Sequence, residues 1–195
     1  QAILLKAARY VSGLFAAQHL LGAHFVFEVG AIQRMLDEAF EDVIFMSTSV
    51  MSDEEKGKDL LEAHVKAFWE DEPTLKDFNA SLRKRASPPR RKIQAHISGA
   101  RKDVAPDHDD LSLSKYMSRV YSGYIHSAAP HLMLLINPHS LRLQLSGTTY
   151  EPLIQEVTES LENYWFRGTV VVAHAAAALG CDALLKEAKQ LNSEL

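Results

Sequence analysis

The stretch Phe25-Val-Phe-Glu-Val-Gly-Ala-Ile-Gln-Arg-Met-Leu-Asp-Glu-Ala-Phe-Glu-Asp-Val-Ile-Phe-Met46 decides the fold. Within it Phe25, Val29, Ile32, Leu36, Ala39, Val43 and Met46 recur at alternating steps of three and four, which draws an apolar seam along a helix of about six turns. A seam of that length must be covered by other helices, because packing of an amphipathic face rather than propensity holds most helices together. The rest of the chain supplies them. Residues 2 to 21 carry Ile3, Leu4, Ala7, Val11, Leu14 and Phe15 at helical spacing, with Gly22 as the expected stop.

Downstream, Ser52 followed by Asp53, Glu54 and Glu55 starts a third helix through about Glu70, with Leu60, Leu61, Val65 and Phe68 on its face. A shorter helix is expected through Leu75, Phe78 and Leu82, and an amphipathic piece with Ile93 and Ile97 follows the break at Ser87-Pro-Pro89. Asp103 to Asp110 read as a polar loop, and Asp110 or Ser112 can cap the helix that follows, which Pro130 ends or kinks. Leu141-Arg-Leu-Gln-Leu145 alternates strictly, but with no second strand in the chain a lone extended segment is expected rather than a sheet. Pro152 opens a long helix through Leu179, Gly180 closes it, and Asp182 to Leu191 form a terminal helix. The expectation is one all-α domain over residues 1–195, an antiparallel helical bundle with additional short helices.

At 195 residues with 47% hydrophobic side chains, the chain is long enough for one core. The longest apolar run, Val170 to Leu179, is too short for a bilayer and is interrupted by His174, so no membrane partner is expected. Lys6, Arg9 and His19 interrupt the opening stretch, which reads as an amphipathic helix rather than a signal peptide. The single cysteine, Cys181, excludes an intrachain disulfide and suits a reducing cytoplasm; its expected role is small buried filler.

Formal net charge is -4, and it is unevenly spread. Arg83, Lys84, Arg85, Arg90, Arg91, Lys92, Arg101 and Lys102 fall together with no acid among them, leaving the rest of the chain strongly acidic. Such a strip either pairs with the acidic stretch Asp37 to Glu72 or offers contacts to a nucleic-acid backbone through Arg83, Lys84, Arg85, Arg90, Arg91 and Lys92.

Several chemistries lack their signatures. Neither Glu-x-x-His nor His-Glu-x-x-His occurs, so no metal site is expected despite nine histidines. Gly-x-Ser-x-Gly, Gly-x-Gly-x-x-Gly and Gly-x-x-x-x-Gly-Lys are missing too, so no cofactor is expected. Phosphate chemistry comes within reach only at Arg119-Val-Tyr-Ser-Gly-Tyr-Ile-His126. Arg119 and His126, seven apart, share one helix face roughly 10 Å from each other along the axis, with Ser122 between them. A guanidinium that grips phosphate and an imidazole that moves a proton are the minimum for cutting a phosphodiester without metal.

Arg119, six residues and then His126 resembles the Arg-x4-6-His signature of the HEPN superfamily of small all-α domains. Val120 stands after the arginine, where catalytic members usually carry a polar residue. The segments Tyr121 to His131 and Phe27 to Arg34 also look similar to uncharacterised bacterial helical proteins near that superfamily. The resemblance implies a metal-independent endoribonuclease or RNA-binding protein of a bacterial stress or defence system, with Arg119 and His126 catalytic and Tyr121, Ser122 and His131 assisting. It also implies a homodimer joined through this helix and single-stranded RNA as partner. The other reading is a non-catalytic interaction domain, in which the seam helix and Ala175 to Ala178 form dimerisation or scaffold contacts.

Overall fold

The computed structural model describes residues 1–52, 55–70, 87–102 and 119–194. The expected helix through Leu75 to Leu82, the loop Asp103 to Asp110, the Ser112 cap, and Arg83, Lys84 and Arg85 lie outside the described residues. The architecture is an all-α helical bundle.

Helices α1 (Ala2–Gly22) and α2 (Val26–Met51) are joined by a short turn that folds one back on the other. The third helix, α3 (Glu55–Phe68), and the fourth, α4 (Arg90–Lys102), both lie on α2. Residues 119–125 form α5 and Ala129–Leu132 the short α6, followed by a 3₁₀ turn at Met133–Leu135. The long α7 (Glu151–Ala178) packs on α1 and α2, and α8 (Asp182–Glu194) covers α7. No described helix is long and apolar enough to cross a membrane.

The seam of α2 is buried as its spacing requires: Val29, Leu36 and Val43 have no exposed surface, and Ala39 and Met46 almost none. Tyr10 and Leu14 of α1, Tyr164 and Val171 of α7, and Ile93 of α4 meet it in a single core. Full burial of each large apolar side chain stabilises the fold by about 1.5–3 kcal/mol, so the α2 seam dominates the packing. Two polar links fix the register of α7. The Tyr10 hydroxyl donates to the Tyr164 carbonyl at 2.9 Å, and buried Asp37 accepts from Tyr164 Oη at 3.0 Å and Arg167 Nη1 at 2.8 Å. Burial raises the Asp37 carboxyl above its ordinary range, and Arg167 and Tyr164 offset this only in part.

Three expectations need correcting, those for Gly22, Pro130 and Cys181. Gly22 is the last residue of α1 rather than its stop; the left-handed position is His24, at φ 61°, and Phe25 N–H closes the turn onto the Leu20 carbonyl. Histidine tolerates that conformation better than most side chains. Pro130 does not end the helix of Arg119 and His126, which stops at residue 125; it sits in the first turn of α6, where its missing N–H has no helical partner to lose. Residues 141–145 form no sheet, as expected, and make a single antiparallel bridge, Ile136 with Leu143, with Leu141, Leu143 and Leu145 all exposed. Alternation in sequence reports which way side chains point, but nothing described covers that face. Cys181 is exposed, because Gly180 at φ 68° turns the chain outward before α8 begins.

Candidate functional site

Helix α5 has two unlike faces. Tyr121 and Tyr124, three apart, point into the protein, while Arg119, Ser122 and His126, at steps of three and four, point the other way. Glycines permit two close approaches here, one of α5 to α2 and one of α6 to α5. A Cβ at Gly30 of α2 would lie 2.5 Å from the Tyr124 ring, and one at Gly123 would lie 2.1 Å from the His131 ring, so both approaches require glycine. Tyr124 also meets Phe27 at 5.6 Å between centroids, and burial raises its hydroxyl above the ordinary value. Tyr121 reaches the core: its ring meets Tyr164 edge-on, and its hydroxyl shares a hydrogen bond at 3.2 Å with Ser160 Oγ, which also accepts Gln33 Nε2 at 3.0 Å.

The helix closes with Ser127 in the left-handed conformation, φ 51°, and Ala128 N–H bonded to the Gly123 carbonyl at 2.9 Å. That arrangement leaves His126 at the helix cap, exposed and facing away from the aromatic side.

The outward face forms one wall of an open cleft of about 500 Å³. Arg119, Ser122 and His126 line it together with Gly123 and Ala128. Arg34 of α2 and Arg90 and Gln94 of α4 complete its lining. Of the residues singled out from sequence, Arg119, Ser122, His126 and Arg90 thus meet in one place. Tyr121 and His131 do not line the cleft; Tyr121 belongs to the core, and His131 lies under Gly123 with its ring 4.3 Å from Tyr124 between centroids. Arg34 and Gln94 were not singled out, since each sits on a helix whose own periodicity gives no reason to suspect a distant partner.

The cations of the cleft differ in what holds them. Arg90 is anchored by hydrogen bonds to Asp42 and to the Glu38 carbonyl, the latter at 2.7 Å, and by an ion pair of its Nε with Glu41 Oε2 at 3.0 Å. Asp42 is itself 5% exposed at its side chain and takes Lys6 Nζ at 2.8 Å, with His64 Nε2 at 3.5 Å. Burial alone would raise the Asp42 carboxyl, but Arg90 and Lys6 outweigh it and hold the group below the usual carboxylate range. Burial lowers the neighbouring His64 imidazole, and Asp42 counters this in part. Arg90 therefore joins α4 to α2 and is paired with the acidic stretch, as the pairing reading of the basic strip expects. Arg91 and Lys92 are exposed and do not line the cleft. Arg34 has a single ion-pair partner among the described residues, Glu38 at 2.6 Å, and Arg119 has none. Among the described residues, no group of three or more histidine, cysteine or carboxylate side chains could hold a metal ion.

An all-α bundle with a basic, histidine-bearing cleft on its surface is what the fold and site define. Compared with protein-family models, curated proteins and solved structures, the chain matches none.

Proposed function

We propose that this protein is a HEPN-like, metal-independent endoribonuclease acting on single-stranded RNA in the cytoplasm. The observation that carries the reading is that Arg119, Ser122 and His126 line one open cleft, with a second arginine, Arg34, lining it too. Arg119 neutralises a non-bridging oxygen of the scissile phosphate, and the Ser122 hydroxyl donates a hydrogen bond to it. His126 acts on a proton. As base it takes the proton of the ribose 2′-hydroxyl, whose oxygen then forms a bond to phosphorus; as acid it delivers a proton to the departing 5′-oxygen. The products are a 2′,3′-cyclic phosphate and a 5′-hydroxyl, and DNA, lacking the attacking group, is not cut.

One histidine cannot hold and give a proton at the same instant, and no second one lines the cleft among the described residues. A homodimer that brings two clefts together would supply the missing acid or base from the other His126. The interaction-domain reading has less to use: Val29, Leu36 and Val43 of the seam, with Ala175 and Ala176, are already buried in this chain's own core.

The deciding measurement is cleavage of mixed single-stranded RNA in EDTA, with His126→Ala and Arg119→Ala beside the wild type and folding checked by circular dichroism. The expected result is a wild-type cut ending in cyclic phosphate and a loss of at least about a hundredfold in either folded variant. An inactive wild type, or full activity in His126→Ala, would remove the reading.

A further inference from the structure

Three cationic side chains border the cleft besides His126, and they are not equally available to an anion. Arg90 is held by Asp42, Glu41 and a backbone carbonyl, two of these being carboxylates that already balance its charge. Arg119 has no ion-pair partner among the described residues. Arg34 is the intermediate case. Its side chain is 14% exposed, so it stands against the wall rather than waving in solvent, and its partner Glu38 is 51% exposed on the next turn of the same helix. Only the Glu38 half of the pair stands in solvent, so its carboxylate can swing away while the guanidinium stays against the wall, and an arriving phosphate can take its place. The planar guanidinium keeps its fork while it exchanges one oxyanion for another.

We propose that Arg34 is a second phosphate-binding residue of this cleft, besides Arg119, and that Glu38 is a built-in competitor that occupies it when no phosphate is bound. The assignment rests on the phosphodiester reading of the site and adds to it a residue that contacts the substrate and another that tunes its affinity. Arg34 also belongs to the helix on which α5 docks, one turn beyond Gly30, so the two arginines are held on elements in direct contact.

The two residues make opposite predictions, which a plain structural ion pair would not. Binding of a fluorescein-labelled single-stranded pentaribonucleotide is measured by anisotropy at low salt, in the His126→Ala background so that the probe is not consumed. Arg34→Gln is expected to weaken binding by about tenfold, as for a lost charged hydrogen bond. Glu38→Gln is expected to tighten it by roughly two- to fourfold, the size of a released surface pair. Arg34→Lys should recover part of the loss, since charge returns without the fork. Thermal melts check that each variant is folded. Weakening in both Arg34→Gln and Glu38→Gln would mark a merely structural pair and overturn the assignment. Unchanged binding in Arg34→Gln with loss in Arg119→Ala would overturn it while leaving the cleft reading intact. No binding by the parent protein, or binding indifferent to both arginines, would remove the cleft reading and this assignment with it.

Discussion

Gly30 shows how much of the site depends on one missing methyl group. The Tyr124 ring occupies the space a side chain would take, with three of its atoms 2.5–2.6 Å from the Cβ position. Those atoms belong to the near half of the ring, so the clash cannot be relieved by moving a flexible tip. Gly30→Ala gains about 0.5–1 kcal/mol in helix propensity but costs about 1–3 kcal/mol in overpacking, so a net loss in urea stability is expected. Because α5 must shift to make room, RNA affinity should fall as well. A variant more stable than wild type with unchanged binding would show that α5 is not seated on Gly30. At this scale the sequence was partly legible. Arg119, Ser122 and His126 could be placed on one stripe because helical spacing is a local property. His24 and Ser127 escaped as left-handed residues because neither is glycine, and Arg34 escaped because only the folded chain brings α2, α4 and α5 to a common cleft.

Between elements, Asp42 ties α1 and α4 to α2 through Lys6 and Arg90, with His64 of α3 3.5 Å away. Asp42→Asn removes the charge that balances two cations, and a loss on the order of 3 kcal/mol is expected at neutral pH, the low end for a buried pair because Lys6 and Arg90 still reach water. The sign with pH follows from the lowered carboxyl. Its contribution is complete above the unfolded value near 4 and is lost as pH falls through the lower folded value. The stability gap between wild type and Asp42→Asn should therefore close below about pH 4, while at higher pH the neighbouring His64 imidazole, whose charged form Asp42 favours, adds its own titration. A gap that persists unchanged into strong acid would contradict the pairing. The seam that predicts α2 gives no hint of this cluster, since Asp42 sits beside Val43 and simply reads as an acid on the polar edge.

For the molecule as a whole, the distribution of charge bears on the proposed contact with RNA. With Arg90 already paired, Arg34 and Arg119 are the cleft's available arginines among the described residues, on a chain whose net charge is -4. Two phosphate contacts on a single strand give a slope of about -1.4 for log affinity against log salt. A titration steeper than about -4 would instead enlist the whole basic strip, Arg83, Lys84 and Arg85 included. Composition and periodicity were enough to read the helical bundle, because burial on one face of a helix leaves a regular trace. They were silent on the residues that α2 and α4 bring to the cleft, and they left the basic strip open between pairing and binding; α4 pairs Arg90 with the acids of α2 while Arg91 and Lys92 stay exposed.

Cys181 carries a practical consequence for any test of the proposed dimer. It is the chain's sole thiol and it faces solvent at the junction of α7 and α8. Air oxidation would join two molecules tail to tail at that point, a covalent pair unrelated to any meeting of the clefts. Oligomeric state therefore has to be read under reductant, and the same solitary sulfur accepts a maleimide dye at one defined position, turning each molecule into a reporter of its own association.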